Sequence, residues 1–154
     1  MKIFLVHGGA AKVNSDLLES KLLEIRLAAK KGFLELCKID NEDKYSKRDK
    51  TLNAIEKGVE FMENSPYFNA GYGSSLTSNG TVEMDSIIAT GTTLKFGSVC
   101  SVTKIKNPIK LARSILEKSE HCLFSADGAH NYAIENNFQL IDNEALIHQY
   151  AKVS

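Results

Sequence analysis

Asn69 sits in the stretch Phe68-Asn69-Ala70-Gly71-Tyr72-Gly73-Ser74-Ser75-Leu76, where two glycines flank one bulky residue. That spacing calls for positive φ, or for a backbone face left bare so that a ligand or another strand can approach. Asn79-Gly80, leading into Thr81-Val82-Glu83-Met84-Asp85, is a strong hairpin signal and predicts a type I′ turn with both residues left-handed. Local chemistry leaves two readings open: a functional loop, or a plain surface hairpin in which Asn69 only caps a turn. His7-Gly8-Gly9 forms a second glycine loop after a short apolar run. The remaining reactive side chains point to less. Cys37, Cys100 and Cys122 include no C-x-x-C pair, which argues against a disulfide framework and a zinc site and leaves buried thiols as the expectation. His121 adjoins Cys122, but neighbours on a strand point to opposite faces, so the two do not make a nucleophile and base.

These residues need a scaffold, and 154 residues are enough for one domain with a real core. Nineteen Lys plus Arg balance nineteen Asp plus Glu, and no basic stripe with interleaved aromatics is present, which disfavours nucleic acid as a partner. The apolar run before His7 is far shorter than a signal-peptide core or the roughly 20 residues of a membrane span, so a soluble, cytoplasmic protein without membrane contact is expected.

Lys2 to Val6 reads as a strand entering the His7 loop. From Asp16 to Cys37, Leu18, Leu22, Ile25, Ala29, Phe33 and Leu36 recur at helical spacing, with Ser15 and Asp16 as candidate caps. Residues 38 to 50 read as a solvated loop. A second helix is predicted over 49–63, with Leu52, Ile55, Val59 and Met62 on one face and Pro66 beyond its end. The charges over residues 16 to 60 read as solvated faces. Strands are predicted at 74–77, 82–89 and 95–103, joined by hairpins and therefore antiparallel, with a further candidate at 122–124. Pro108 opens a third helix to about Lys118, and a short one follows over 129–136. After Gln139 only a weak helical patch is visible near Ala145 to Tyr150. The order indicates an α+β fold with helices layered on a sheet.

His7-Gly8-Gly9-Ala10, Pro66 through Ser74, Asn79 through Asp85, Asn107-Pro108-Ile109-Lys110-Leu111-Ala112-Arg113 and His121-Cys122-Leu123-Phe124 together resemble the isoaspartyl peptidase/L-asparaginase family of N-terminal-nucleophile hydrolases. The resemblance covers about residues 1–138, read as an α-subunit-like part of a four-layer αββα sandwich, and leaves 139–154 as a tail or the start of a linker to a β part. It implies autocatalytic cleavage before a threonine, whose freed amine and hydroxyl act as base and nucleophile on the side-chain amide of asparagine or on β-aspartyl bonds, the chemistry of a threonine protease. That threonine opens a Gly-Thr-Val-Gly segment, which this chain lacks. Gly80-Thr81-Val82-Glu83 aligns with the early hairpin and ends in Glu83, so Thr81 is not the nucleophile.

By resemblance, Asn69 lies near the scissile carbonyl and can donate to an oxyanion, and Gly8 and Gly9 belong to a loop close to the nucleophile. His7 is expected as a hydrogen-bonded strand-end residue. The carbonyl oxygens of Met62, Glu63, Ser65, Phe68, Ala70 and Tyr72 match a loop that binds sodium, a structural ion; no cofactor for catalysis is implied. The implied partner is a complementary β subunit, with αβ pairs dimerised and a small asparagine or β-aspartyl substrate. Where the family commonly has Asp-Ala-Ser-Ile-Met-Asp-Gly, this chain has Asp85-Ser86-Ile87-Ile88-Ala89-Thr90-Gly91, which among other changes replaces a polar serine by Ile87 and a carboxylate by Thr90; Asp85 reads as structural. Two alternatives stand beside this reading. Phe96-Gly97-Ser98-Val99 and Ile105-Lys106-Asn107-Pro108 also suit the related threonine aspartase, an endopeptidase, and a catalytically dead fragment with a binding role is the third. Half a sandwich should expose a broad apolar face.

Overall fold

The computed structural model describes residues 1–10, 13–38 and 47–152. Most of the loop expected over 38–50 lies outside them, as do residues 153 and 154. Helix α1 is Ser15–Cys37 and α2 is Lys47–Glu63; strands β1 (Met84–Ala89) and β2 (Phe96–Val102) precede α3 (Pro108–Lys118), then β3 (Leu123–Ser125) and α4 (Ala126–Glu135). Two 3-10 turns, Asn143–Leu146 and Gln149–Lys152, follow. The architecture is α+β.

Asn14, rather than Ser15 or Asp16, caps α1, its side chain accepting from the Asp16 amide. The buried face of α1 is also not the expected stripe: Ala28 and Gly32 are buried, whereas Leu18, Leu22 and Phe33 are exposed. Small residues win that face because they let other groups approach closely. A Cβ on Gly32 or Gly58 would collide with the Phe4 ring, so Phe4 is seated in a notch between α1 and α2. In the segment 2–6 the neighbouring Ile3 and Leu5 are 61% and 87% exposed. The predicted strand there is not formed: the segment belongs to no ladder among the described residues.

The three strands run in the order β1-β2-β3, with β1 antiparallel and β3 parallel to β2. The strand predicted at 74–77 is reduced to a single bridge, Leu76 to Val82. Its turn is not type I′: the Gly80 amide donates to the Thr77 carbonyl and Gly80 alone has positive φ, with Asn79 outside that region. This is a type I turn followed by a left-handed glycine, the common three-residue hairpin solution. A bulge falls between Met84 and Ser86, where the Asp85 carboxylate accepts from the Ser101 amide at 2.8 Å, the structural role expected of it.

One sheet face is sealed by α3. Gly97 makes this possible, since a Cβ there would stand 2.3 Å from both the Ala112 oxygen and the Leu116 nitrogen. Gly97→Ala should therefore cost about 3 kcal/mol, the upper end for overpacking, because the obstacle is helix backbone and cannot rotate away; urea unfolding at constant m-value is the check. The core beneath contains Val82, Val99, Val102, Ile105, Leu111, Ile115 and Leu146. Residues 139–151 thus join the fold: Leu146 is buried, Leu140 bridges Ile105, and the Asn143 side chain pairs with both backbone groups of Val82 at 2.8 Å. The opposite sheet face is open. Ile87 and Leu123, in register on either side of Ser98, are 62% and 52% exposed. Cys122 is exposed and Cys37 and Cys100 are partly so, which corrects the expectation of buried thiols. No helix among the described residues is long and apolar enough to cross a membrane.

Candidate active site

The turn after α2 is built from backbone constraints. The Ser65 amide closes on the Met62 carbonyl at 3.1 Å, and the Tyr72 amide returns to the Glu63 carbonyl at 2.7 Å, bending residues 63–72 into a closed loop. Gly71 has φ +56 and a Cβ there would stand 2.2 Å from the Glu63 oxygen; Gly73 has φ +140 and would meet the Pro66 and Phe68 oxygens at 2.9 Å. Both glycines are dictated by space as well as by dihedral angle, as their flanking of Tyr72 predicted.

This loop fixes Asn69. Its Oδ1 accepts from the Ser75 amide at 2.8 Å. A carbonyl so engaged orients the side chain, because the opposite end of the planar group must be the NH2. No partner for that NH2 occurs among the described residues, and Asn69 borders two recesses of about 230 and 240 Å³. The side chain can therefore present an N–H donor to a ligand.

The glycines of the first loop lie alongside. A Cβ on Gly8 would stand 2.6 Å from Ile25 Cδ1 and 3.1 Å from the Phe68 ring, placing that backbone against the residue before Asn69. Gly9 has φ +97, and its amide donates to His7 Nδ1 at 3.3 Å, the local hydrogen bond expected of His7.

The carbonyl oxygens of Glu63, Ser65, Phe68, Ala70 and Tyr72 belong to the closed loop and that of Met62 directly precedes it; those of Met62 and Glu63 accept one amide each, which leaves a lone pair apiece. Such a set suits a hard cation. Among the described residues no group of three His, Cys, Asp or Glu could hold a metal.

Sequence reasoning cited Glu63 only for its carbonyl, but its side chain does more. It is 3% exposed, with Oε1 accepting from the Ile109 amide at 2.9 Å and Oε2 from Asn107 Nδ2 at 3.1 Å. Glu63 thus caps the first turn of α3, where an anion or acceptor is favoured, and ties α3 to the Asn69 loop. Burial pushes its carboxyl up to about 8, against the opposing pull of the Ile109 and Asn107 donors.

The tail closes the other side. Tyr150 stacks on Tyr67 at 6.1 Å and His148 at 4.5 Å from Tyr150 meets Tyr72 at 5.1 Å, so residues 148–150 lie against Tyr67 and Tyr72 of the turn. Lys21 of α1 enters the recess beside Asn69, its Nζ 5.7 Å from the Phe68 ring centroid. No sequence signal linked these positions to residue 69.

Fold and turn define an α+β chain in which a free side-chain amide donor at Asn69 lies beside a glycine loop, and such a donor can steady developing negative charge. A family model described as Asparaginase matches residues 1–153, and the chain belongs to that family. It is 34% identical to the isoaspartyl peptidase/L-asparaginase of Danio rerio over 99% of this chain and 46% of the relative. Identity to the plant-type L-asparaginase of Thermococcus kodakarensis is 38% over 92% of the chain and 44% of the relative. For the isoaspartyl peptidase/L-asparaginase of Mus musculus the figures are 36%, 97% and 44%. The chain therefore spans under half the length of the curated relatives it matches.

Proposed function

We propose that this chain is the α-subunit-like portion of an isoaspartyl peptidase/L-asparaginase and supplies the oxyanion side of its site. The orientation of Asn69 carries the reading: Ser75 occupies the side-chain carbonyl, so the NH2 is the end offered to a reacting carbonyl. A second, β portion contributes an N-terminal threonine, released by autocatalytic cleavage. Its amine, with a pKa near 8, is partly neutral at pH 7 and takes the hydroxyl proton as the oxygen attacks the amide carbon. Asn69 Nδ2 donates to the oxyanion, ammonia or an amine departs with the proton, and water hydrolyses the resulting ester through a second oxyanion. The Gly8-Gly9 backbone lines the nucleophile's side, and the 62–72 loop holds a monovalent cation, sodium, that stiffens the turn without taking part in the reaction.

In this reading the β portion completes a four-layer sandwich. The unpaired segment 2–6 and the open face bearing Ile87 and Leu123 are the surfaces it covers, which supports a partner on physical grounds. The enzyme works in the cytoplasm on small substrates, and the chain alone is inactive.

The test is the intact mass of everything that purifies with the native chain, followed by assay on asparagine and β-aspartyl-leucine. A co-purifying segment beginning with threonine, and turnover only when both parts are present, is the expected result. A chain without such a segment, and without turnover of either substrate, would overturn the proposal in favour of a binding role; cleavage confined to a protein acidic site would favour the threonine aspartase branch.

A further inference from the structure

The recess on the α1 side of Asn69 contains a cation that the amidohydrolase chemistry above does not use. Lys21 projects from the second turn of α1 beneath the two loops. Its Nζ lies 3.9 Å from where a Cβ on Gly9 would stand and faces the Phe68 ring. Lys21 is half-buried, and no carboxylate pairs with it among the described residues. By contrast, Lys38, Lys57 and Lys110 each hold a glutamate. An ammonium drawn partly out of water without an anion gains most from a ligand that brings one.

The rest of the recess limits what that ligand is. Asn69 borders it on one side, and the stacked rings of Tyr67 and Tyr150 form an aromatic wall on another. Its volume of about 230 Å³ has room for one amino-acid residue. We propose that Lys21 binds the free carboxylate of the leaving amino acid in a β-aspartyl dipeptide, with that residue's side chain against Tyr67 and Tyr150. Covalent geometry permits this. The leaving residue's carboxylate carbon is only three bonds from the scissile carbonyl carbon, so a carbonyl held at Asn69 with its leaving group on the Lys21 side puts the carboxylate in this recess. Ammonia, the leaving group of asparagine, has nothing for Lys21 to hold. The site therefore discriminates by leaving group, favouring dipeptides with a free C-terminus and an apolar or aromatic second residue.

This inference rests on the proposed amidohydrolase reading and adds to it a leaving-group subsite. Isothermal titration of the native protein, with any chain that accompanies it, should compare non-hydrolysable forms of β-aspartyl-leucine and β-aspartyl-leucinamide, with –CH2–NH– in place of the scissile amide, which differ only in the carboxylate Lys21 would meet. The acid should bind about tenfold more tightly, the scale of one charge-assisted hydrogen bond. Lys21→Met should reduce that ratio to about one, and Lys21→Arg should restore most of it. Equal affinity for acid and amide in the unaltered protein, no binding of the acid, or a ratio that survives Lys21→Met would each overturn the assignment. An anion site for the aspartyl α-carboxylate would also give equal affinities, since both ligands carry that group. Asparagine turnover by the unaltered protein separates the two claims: its absence with the acid–amide preference intact would sink the amidohydrolase reading and leave the carboxylate site standing.

Discussion

Asn69→Asp should lower kcat of the assembled enzyme by about 10²- to 10³-fold on asparagine, the loss typical of removing one oxyanion donor. The substitution is chosen for what it preserves. Aspartate has the same shape and can still accept from the Ser75 amide, so the loop's 2.8 Å bond survives. Only the outward end changes, from an NH2 that donates to an oxygen that cannot, and its negative charge would face the developing oxyanion. KM should change much less than kcat, because the donor matters most where charge has built up. Asn69→Ala should fall by a similar factor, although it also frees the Ser75 amide; at an exposed position that second effect costs about 1 kcal/mol or less of stability. An Asn69→Asp enzyme within fivefold of the parent kcat would remove Asn69 from the oxyanion site.

The elements legible in sequence were those whose determinants are local. The α2 and α3 helices show apolar residues at three- and four-residue spacing, and Pro66 and Pro108 mark an end and a beginning. Gly71 and Gly73 announced their loop because glycine is the residue that positive φ and close backbone approach select. Misreadings arose where the deciding contact is distant. Lys2 to Val6 has strand composition, but composition cannot supply a neighbour, and Phe4 instead anchors the segment through the glycines of α1 and α2. Apolar periodicity in α1 pointed to its leucines, whereas small residues at 28 and 32 mark the face that packs. Asn79-Gly80 permitted two turns; the Thr77 hydroxyl, accepting from the Asn79 and Thr81 amides, favours the one observed. At the site, Asn69, Gly8 and Gly9 could be found through family resemblance. The Glu63 carboxyl could not, since its partners lie 44 and 46 residues away, and neither Lys21 nor Tyr150 has a motif that ties it to the turn.

The same Glu63 should make the stability of this chain fall as pH rises from 4.5 to about 8. Below pH 4.5 the carboxyl is protonated in both the folded and the unfolded chain. Between these values the unfolded chain releases the proton while the folded one keeps it, because burial raises the folded value to about 8. The unfolded state then binds fewer protons, so the slope of unfolding free energy with pH is negative and the stabilisation is gone once pH passes the folded value. At about 1.4 kcal/mol per pH interval of one, the full change approaches about 4–5 kcal/mol, an upper value because the buried anion can relax against its two donors. Neighbouring charges act in opposite directions: Glu60 raises the Glu63 value and Lys110 lowers it. Glu63→Gln isolates the group. The amide retains an acceptor for Ile109 and, after rotation of the Asn107 amide, a partner there as well, but it cannot ionise. Urea midpoints measured from pH 4 to pH 9 should therefore decline more steeply for the parent than for Glu63→Gln, with the two curves diverging most above pH 8. Parallel curves would mean that Glu63 ionises normally and that the helix N-terminus, not burial, governs it. Near pH 4, where the parent carboxyl is protonated, Glu63→Ala should be worse than either by about 3 kcal/mol, since it strands the Ile109 amide and leaves a cavity between α3 and the Asn69 loop, and its deficit against the parent should shrink as pH rises toward 8. The donor that Asn69 offers and the acid that anchors its loop then become separable experimentally: Asn69→Asp changes kcat with little change in stability, and Glu63→Gln changes how stability depends on pH.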